Sequence, residues 1–189
     1  MIYIVSGFMR SGTTMKMECM EAGGMSVVKS ESRDQFGAAH NDEHYRVNPH
    51  GLYEPDLTEL RQLGWPKQHD GKVLKVVVPW LRALSVHEYR VVFMLRDFEE
   101  IRQSFEGAFG GRLKRETIEQ QVAEALAQLR NRRDVLTLTT LNYCDVVADP
   151  QRELSRLRAA GWPIDVEAAA SVVNADLYRF RLERLTVGI

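Results

Sequence analysis

The sequence predicts an α/β protein, a three-layer α/β/α sandwich with a central parallel sheet of the P-loop nucleotide-binding type, on three observations. Short strand-like runs recur along the chain, two of them almost wholly apolar and β-branched at 73–78 and 91–95. Stretches of helical periodicity lie between such runs. The first run, Ile2 to Val5, hands over to a helix through a glycine-containing loop, Gly7 to Thr14. Apolar runs read as strands covered on both faces, and repeated strand-then-helix units imply parallel strands joined by crossovers.

Taken in order, Ile2 to Val5 is a buried strand stopped by Gly7. Thr14 to Ala22 is rich in Met and Glu and unbroken until Gly23-Gly24, a helix closed by a glycine cap. The polar stretch 29–56, with His40, His44, His50 and the turn signals Asn48-Pro49 and His50-Gly51, predicts a long excursion over the sheet. Val73 to Val78 and Val91 to Leu95 are central strands, each expected to be followed by a helix. Ile118, Val122, Leu126 and Leu129 make one helical face within Thr117 to Arg133. Leu136 to Leu141 alternates Leu with Thr as a further strand, and helices at Gln151 to Ala160 and Val166 to Val173 flank Gly161-Trp162-Pro163. No internal repeat interrupts this order, so 1–189 is expected to form one domain.

The bulk numbers bound the function classes. A chain of 189 residues can bury roughly 70% of its unfolded surface in one core without a metal or disulfide staple. With 25 Lys+Arg against 26 Asp+Glu there is no global field to draw it onto nucleic acid or an anionic membrane, so any anion site must be local. Cys19 and Cys144 lack metal-ligand spacing and argue for a reducing compartment. The short apolar start and the lack of a long apolar run predict a cytoplasmic protein with no membrane span. Trp65, Trp80 and Trp162 are too dispersed for a nucleic-acid stacking strip. The charged runs 112–116 and 130–134 read as solvated helix faces.

The chemistry concentrates at Gly7-Phe-Met-Arg10-Ser11-Gly12-Thr13-Thr14. A strand end that passes into a helix presents successive backbone N–H groups and the positive end of the helix dipole to an anion. The Gly-x4-Gly frame matches the Walker A loop, but Thr13 stands where that loop needs lysine to reach the β and γ phosphates. Arg10, inside the loop, supplies the positive charge instead, in a fork suited to a terminal sulfonate or phosphate.

Arg10-Ser11-Gly12-Thr13-Thr14 resembles the 5′-phosphosulfate loop of the sulfotransferases that use 3′-phosphoadenosine 5′-phosphosulfate (PAPS). That family's second signature is a strand ending in Arg with a Ser eight residues later, both on the cofactor's 3′-phosphate. Here Arg96 follows Val91 to Leu95, and Ser104 follows at that interval. Tyr143 to Pro150 is similar to the family's late Tyr-x-Asp/Glu-Leu-x-x-Asp-Pro segment. The resemblance implies PAPS as sulfo donor, no metal, and Arg10, Ser11, Gly12, Thr13, Thr14, Arg96 and Ser104 as the nucleotide-binding set.

Two departures qualify it. The family's Lys-x-His-x-Pro stretch corresponds to Lys75-Val-Val77-Val-Pro79, which keeps the lysine and replaces the histidine by Val77. The C-terminal Arg-Lys-Gly-x-x-Gly loop is absent, with Arg179, Arg181 and Arg184 as candidate substitutes. Asn48-Pro49-His50-Gly51-Leu52-Tyr53-Glu54 is similar to an Asn-Pro-x-Gly-Tyr/Phe-x-Glu stretch of some bacterial sulfotransferase-like chains, which makes Glu54 and His50 the candidate bases. The expected activity is sulfuryl transfer to an unidentified hydroxyl or amine, with Arg10, Lys75 and the loop amides stabilising charge. Two alternatives stand beside it, a small-molecule kinase or other NTP-dependent phosphotransferase, and a non-catalytic nucleotide-binding module.

Overall fold

A computed structural model describes residues 1–31, 51, 53–55, 58, 60, 62, 64–178 and 180. His40, His44 and His50, and Arg179, Arg181 and Arg184, lie outside the described residues. Among the described residues four strands form one parallel sheet: β1 (Ile2–Gly7), β2 (Val73–Lys75), β3 (Tyr89–Leu95) and β4 (Val135–Asn142), in the order β2-β1-β3-β4. The helices are α1 (Thr13–Ala22), α2 (Trp65–Gln68), α3 (Phe98–Phe109), α4 (Arg115–Asn131), α5 (Tyr143–Ala148), α6 (Pro150–Ala159) and α7 (Val166–Ser171).

Strand alternation sorts the core into two layers, since successive side chains point to opposite faces. Tyr3, Val5, Val73, Val92 and Met94 pack with Met17 and Met20 of α1, Val146 of α5, and Leu154 and Leu157 of α6. Ile2, Ile4, Leu74, Val91 and Phe93 pack on the other face with Ile101 of α3 and with Ile118, Ala125 and Leu129 of α4. Helices therefore cover both faces, which makes the α/β/α sandwich that the apolar runs predict. At roughly 25 cal/mol per Å² of buried apolar surface, these two layers are the main stabilising term.

Strand order places the site. β1 pairs with β2 on one side (Val5 opposite Lys75) and with β3 on the other (Gly7 opposite Met94). Chain direction across the sheet thus reverses at β1. In open parallel sheets the crevice beyond the carboxyl ends at such a reversal is where ligands bind. Gly7, Lys75 and Arg96 stand at those ends.

Several expected boundaries move. The run 73–78 is in strand pairing only over Val73–Lys75, and a 3₁₀ turn takes over at Val78–Ala83 where a helix is expected. Pro79 has no N–H to donate to a ladder and restrains Val78 before it, so the chain turns there. The run 130–134 is more than a solvated face: Arg132 donates to the carbonyls of Leu84 and Ser85 and pairs with Asp134. It ties the end of α4 to the connection before β3. Asp149 accepts from Arg152 N and Pro150 begins α6, so Asp149-Pro150 opens that helix. Cys19 and Cys144 are free thiols. Among the described residues no helix is long and apolar enough to cross a membrane.

One core residue breaks the pattern. Lys16 of α1 is fully buried, and its Nζ has no hydrogen-bond partner among the described residues. Burial pushes the ammonium below its ordinary value, against the opposing pull of Cys19 and Glu153. The unfolded chain then binds a proton at Lys16 that the folded chain holds less well, so this group lowers stability as pH falls below the ordinary value of 10.5. Taking a charge out of water into a site that gives it no hydrogen bond costs several kcal/mol, a penalty that an apolar side chain of similar length does not incur. Lys16→Met is therefore expected to be more stable than the parent in urea near neutral pH, with the gap closing as the pH is raised toward 10.5. A destabilised Lys16→Met protein, or a gap that does not vary with pH, would show that Lys16 carries no such penalty.

Candidate functional site

The loop between β1 and α1 is shaped by three residues with positive φ. Gly7 has φ of 150°, Arg10 of 69° and Gly12 of 93°. A Cβ on Gly7 would lie 2.4 Å from Ser11 Oγ and 2.7 Å from the Met94 carbonyl; one on Gly12 would lie 2.3 Å from the Tyr143 ring. Both positions require glycine on space as well as backbone grounds. Arg10 is not glycine, and its left-handed backbone is strain of the kind that structures retain where several contacts over-determine it. Those contacts are visible: Ser11 N donates to Phe8 O, and Arg96 Nη1 donates to the Arg10 carbonyl at 3.0 Å.

Gly12 caps α1 with no side-chain hydrogen bond, although Ser11 and Thr13 are the capping candidates by residue type. Ser11 is fully buried, and its Oγ has no hydrogen-bond partner among the described residues. An uncapped helix start beside an orphaned hydroxyl is a site with donors to spare for an anion.

Two side-chain clusters flank the loop. On the β2 side, Lys75 Nζ donates to Thr14 Oγ1 at 3.0 Å and lies 3.5 Å from Glu54 Oε1. Lys75 is 4% and Glu54 15% exposed, so the pair is largely shielded from water. Tyr53, with φ of 55°, is buried and donates from its hydroxyl to Glu21 Oε2 at 2.7 Å. That bond, with Lys29 over the Tyr53 ring, anchors the segment that carries Glu54 to the end of α1.

On the β3 side, Arg10 Nε donates to Ser104 Oγ at 3.0 Å across 94 positions of sequence. Arg96 Nε donates to Glu100 Oε2 at 2.9 Å, and its guanidinium lies over the Tyr143 ring at 4.5 Å. Asp97, the obvious ion-pair candidate for Arg96, instead accepts from Glu99 N and caps α3. Ser104 is buried rather than a solvated neighbour of Glu100. Tyr178 donates to Glu100 Oε1 at 2.6 Å, and burial, reinforced by that carboxylate, holds its phenol above the usual range.

Sequence-predicted residues thus meet in two groups, Thr14, Lys75 and Glu54 in one and Arg10, Ser104 and Arg96 in the other. His50 lies outside the described residues. Glu21, Tyr53, Glu100 and Tyr178 belong to the site without having been singled out as ligands. Glu100 carried a signal, four residues beyond Arg96 at helix start; Tyr178 carried none. Among the described residues no group of three or more His, Cys, Asp or Glu could hold a metal ion.

No protein-family model matches the chain, and no curated protein matches it. Among solved structures, the unliganded crystal structure of a sugar kinase from Janibacter sp. HTCC2649 is similar with a TM-score of 0.44. The two share 13% identity over 92% of this chain and 98% of that one. A likeness of that degree assigns no activity.

The loop geometry is testable by paired substitutions. Gly110 has φ of 67°, and a Cβ there meets nothing within 4 Å, so Gly110→Ala carries backbone strain alone. Gly12→Ala adds the Tyr143 collision. Overpacking costs typically about 1–3 kcal/mol, so Gly12→Ala is expected to lose that much more stability in urea than Gly110→Ala. Tyr143→Ala should recover part of the difference in a double-mutant cycle. Equal losses at the two glycines would show that Tyr143 does not press on the loop.

Proposed function

We propose that the chain is a PAPS-dependent sulfotransferase that moves a sulfo group from 3′-phosphoadenosine 5′-phosphosulfate to a hydroxyl or amine. The observation that carries this reading is the 3.0 Å bond from Arg10 Nε to Ser104 Oγ. It joins the anion loop after β1 to the helix after β3, the two segments whose motifs resemble the 5′- and 3′-ends of that family's nucleotide site. The orphaned Ser11 Oγ and the uncapped start of α1 suit the 5′-phosphosulfate.

In this reading the acceptor oxygen or nitrogen attacks sulfur in line, a new bond to sulfur forms, and the bond from sulfur to the bridging oxygen breaks. Adenosine 3′,5′-bisphosphate leaves with that oxygen. Lys75 and the first-turn amides of α1 stabilise the charge that develops on it. Glu54, held beside Lys75 through Tyr53 and Glu21, takes the acceptor's proton. Thr13 in place of the Walker lysine disfavours the phosphotransferase alternative.

Calorimetry with adenosine 3′,5′-bisphosphate, AMP and magnesium-ATP separates the readings. Binding of the bisphosphate should need no metal. Arg10→Ala should weaken it by roughly 10- to 100-fold, the loss of a charge-assisted hydrogen bond. Tighter binding of magnesium-ATP than of the bisphosphate would sink the sulfotransferase reading and favour a phosphotransferase. Glu54→Gln should leave bisphosphate affinity within about twofold while lowering transfer by at least about 100-fold, the usual range for removing a general base. Undiminished transfer in Glu54→Gln would take this carboxylate out of the mechanism.

A further inference from the structure

Arg96 stands just beyond β3, and α3 brings Glu100 and then Ser104 at successive intervals of four. Positions four apart lie on one helix face, and both Glu100 and Ser104 are buried. A phosphate that bridges Arg96 and Ser104 must therefore lie over the Glu100 carboxylate.

That carboxylate already serves the guanidinium. Arg96 Nε donates to Glu100 Oε2 at 2.9 Å, with the two side chains 8% and 6% exposed. Arg96 Nη1 donates to the Arg10 carbonyl, and Nη2 reaches the Phe180 carbonyl at 3.4 Å, the longest of the three. Tyr178 closes the arrangement: its hydroxyl donates to Glu100 Oε1 at 2.6 Å, and its ring lies 5.3 Å from the guanidinium carbon, which also faces Tyr143. The Arg96 charge is thus compensated, and the chain after α7 is fastened over it.

Resting on the sulfotransferase reading, we propose that Glu100 is a displaceable counter-ion in the 3′-phosphate subsite: its carboxylate holds Arg96 when no nucleotide is bound and yields Arg96 to the 3′-phosphate when one enters. Two anions at one shielded guanidinium repel each other, so carboxylate and phosphate exchange rather than share. A phosphate group brings up to two charges and three acceptor oxygens against one charge and two oxygens, so it wins the exchange. A nucleotide without a 3′-phosphate offers nothing in return and leaves the Arg96–Glu100 pair closed. Glu100 in this way keeps Arg96 in place before the nucleotide arrives, at a cost in affinity for the 3′-phosphate.

Glu100→Gln and Tyr178→Phe test this by calorimetry with adenosine 3′,5′-bisphosphate and AMP. In Glu100→Gln the side-chain carbonyl can still accept from Arg96 and Tyr178 while the competing charge is gone. The bisphosphate should bind on the order of tenfold tighter, the gain from one released charge-assisted bond, and AMP within about twofold of the parent. Tyr178→Phe removes only the hydroxyl that steadies the carboxylate and should tighten the bisphosphate selectively by a smaller factor. It carries the test alone if Glu100→Gln does not fold. Unchanged or weaker bisphosphate binding in a folded variant overturns the proposal and makes Glu100 a scaffold for Arg96. A parent protein that does not prefer the bisphosphate over AMP overturns the sulfotransferase reading itself, a result distinct from an unresponsive variant.

Discussion

The turn from β1 into α1 works only because no side chain stands at Gly12. Its backbone is left-handed, and the Tyr143 ring occupies the space a Cβ would need. That single absence lets α5, which begins at Tyr143, close against the loop from the β4 side of the sheet. Tyr143 then carries the Arg96 guanidinium on its ring, and Arg96 in turn holds the Arg10 carbonyl. Arg10 is fixed in a backbone conformation it would not otherwise adopt, and its side chain is delivered to Ser104. Each contact in this chain needs the one before it, so a glycine on one strand end governs a hydrogen bond on the helix after another.

Electrostatics follow the same economy of space. The chain is nearly neutral overall, so cations at the crevice are not part of a general positive field. Each is set by a nearby partner: Lys75 by Glu54 and Thr14, Arg96 by Glu100, Arg10 by Ser104. A cation so paired keeps its position without ligand and meets an arriving anion with little rearrangement, which is the physical content of preorganisation. The carboxylates that provide this order also oppose the anion, so affinity at the crevice depends on what replaces them.

Much of this was legible in the sequence, for reasons particular to each element. The strands at 2–5 and 91–95 are apolar on both faces because helices cover both, and unbroken apolar runs report that directly. The interval from Arg96 to Ser104 was readable because a helix converts spacing into a shared face. The end of β2 was not, since Val76 to Val78 continue an apolar, β-branched pattern and only Pro79 marks the turn. Tyr53 and Tyr178 were not legible as site residues either. Both reach their partners across loops, Tyr53 to Glu21 and Tyr178 to Glu100, and no periodicity encodes such contacts.

Two lysines show how burial separates scaffold from chemistry. Lys16 and Lys75 are both almost without solvent contact, and residue type alone treats them alike. Lys75 lies at a strand's carboxyl end with a hydroxyl and a carboxylate beside it, where an arriving anion can reach its amine. Lys16 lies in the first turn of α1, inside the layer formed with α6, with no hydrogen-bond partner among the described residues, and burial weakens its hold on a proton. The same desolvation that makes Lys16 a liability would make Lys75 one too without Thr14 and Glu54. What distinguishes a functional buried charge is therefore its partners' placement at the crevice, and the segment that positions Glu54 is as much a part of the site as the lysine it serves.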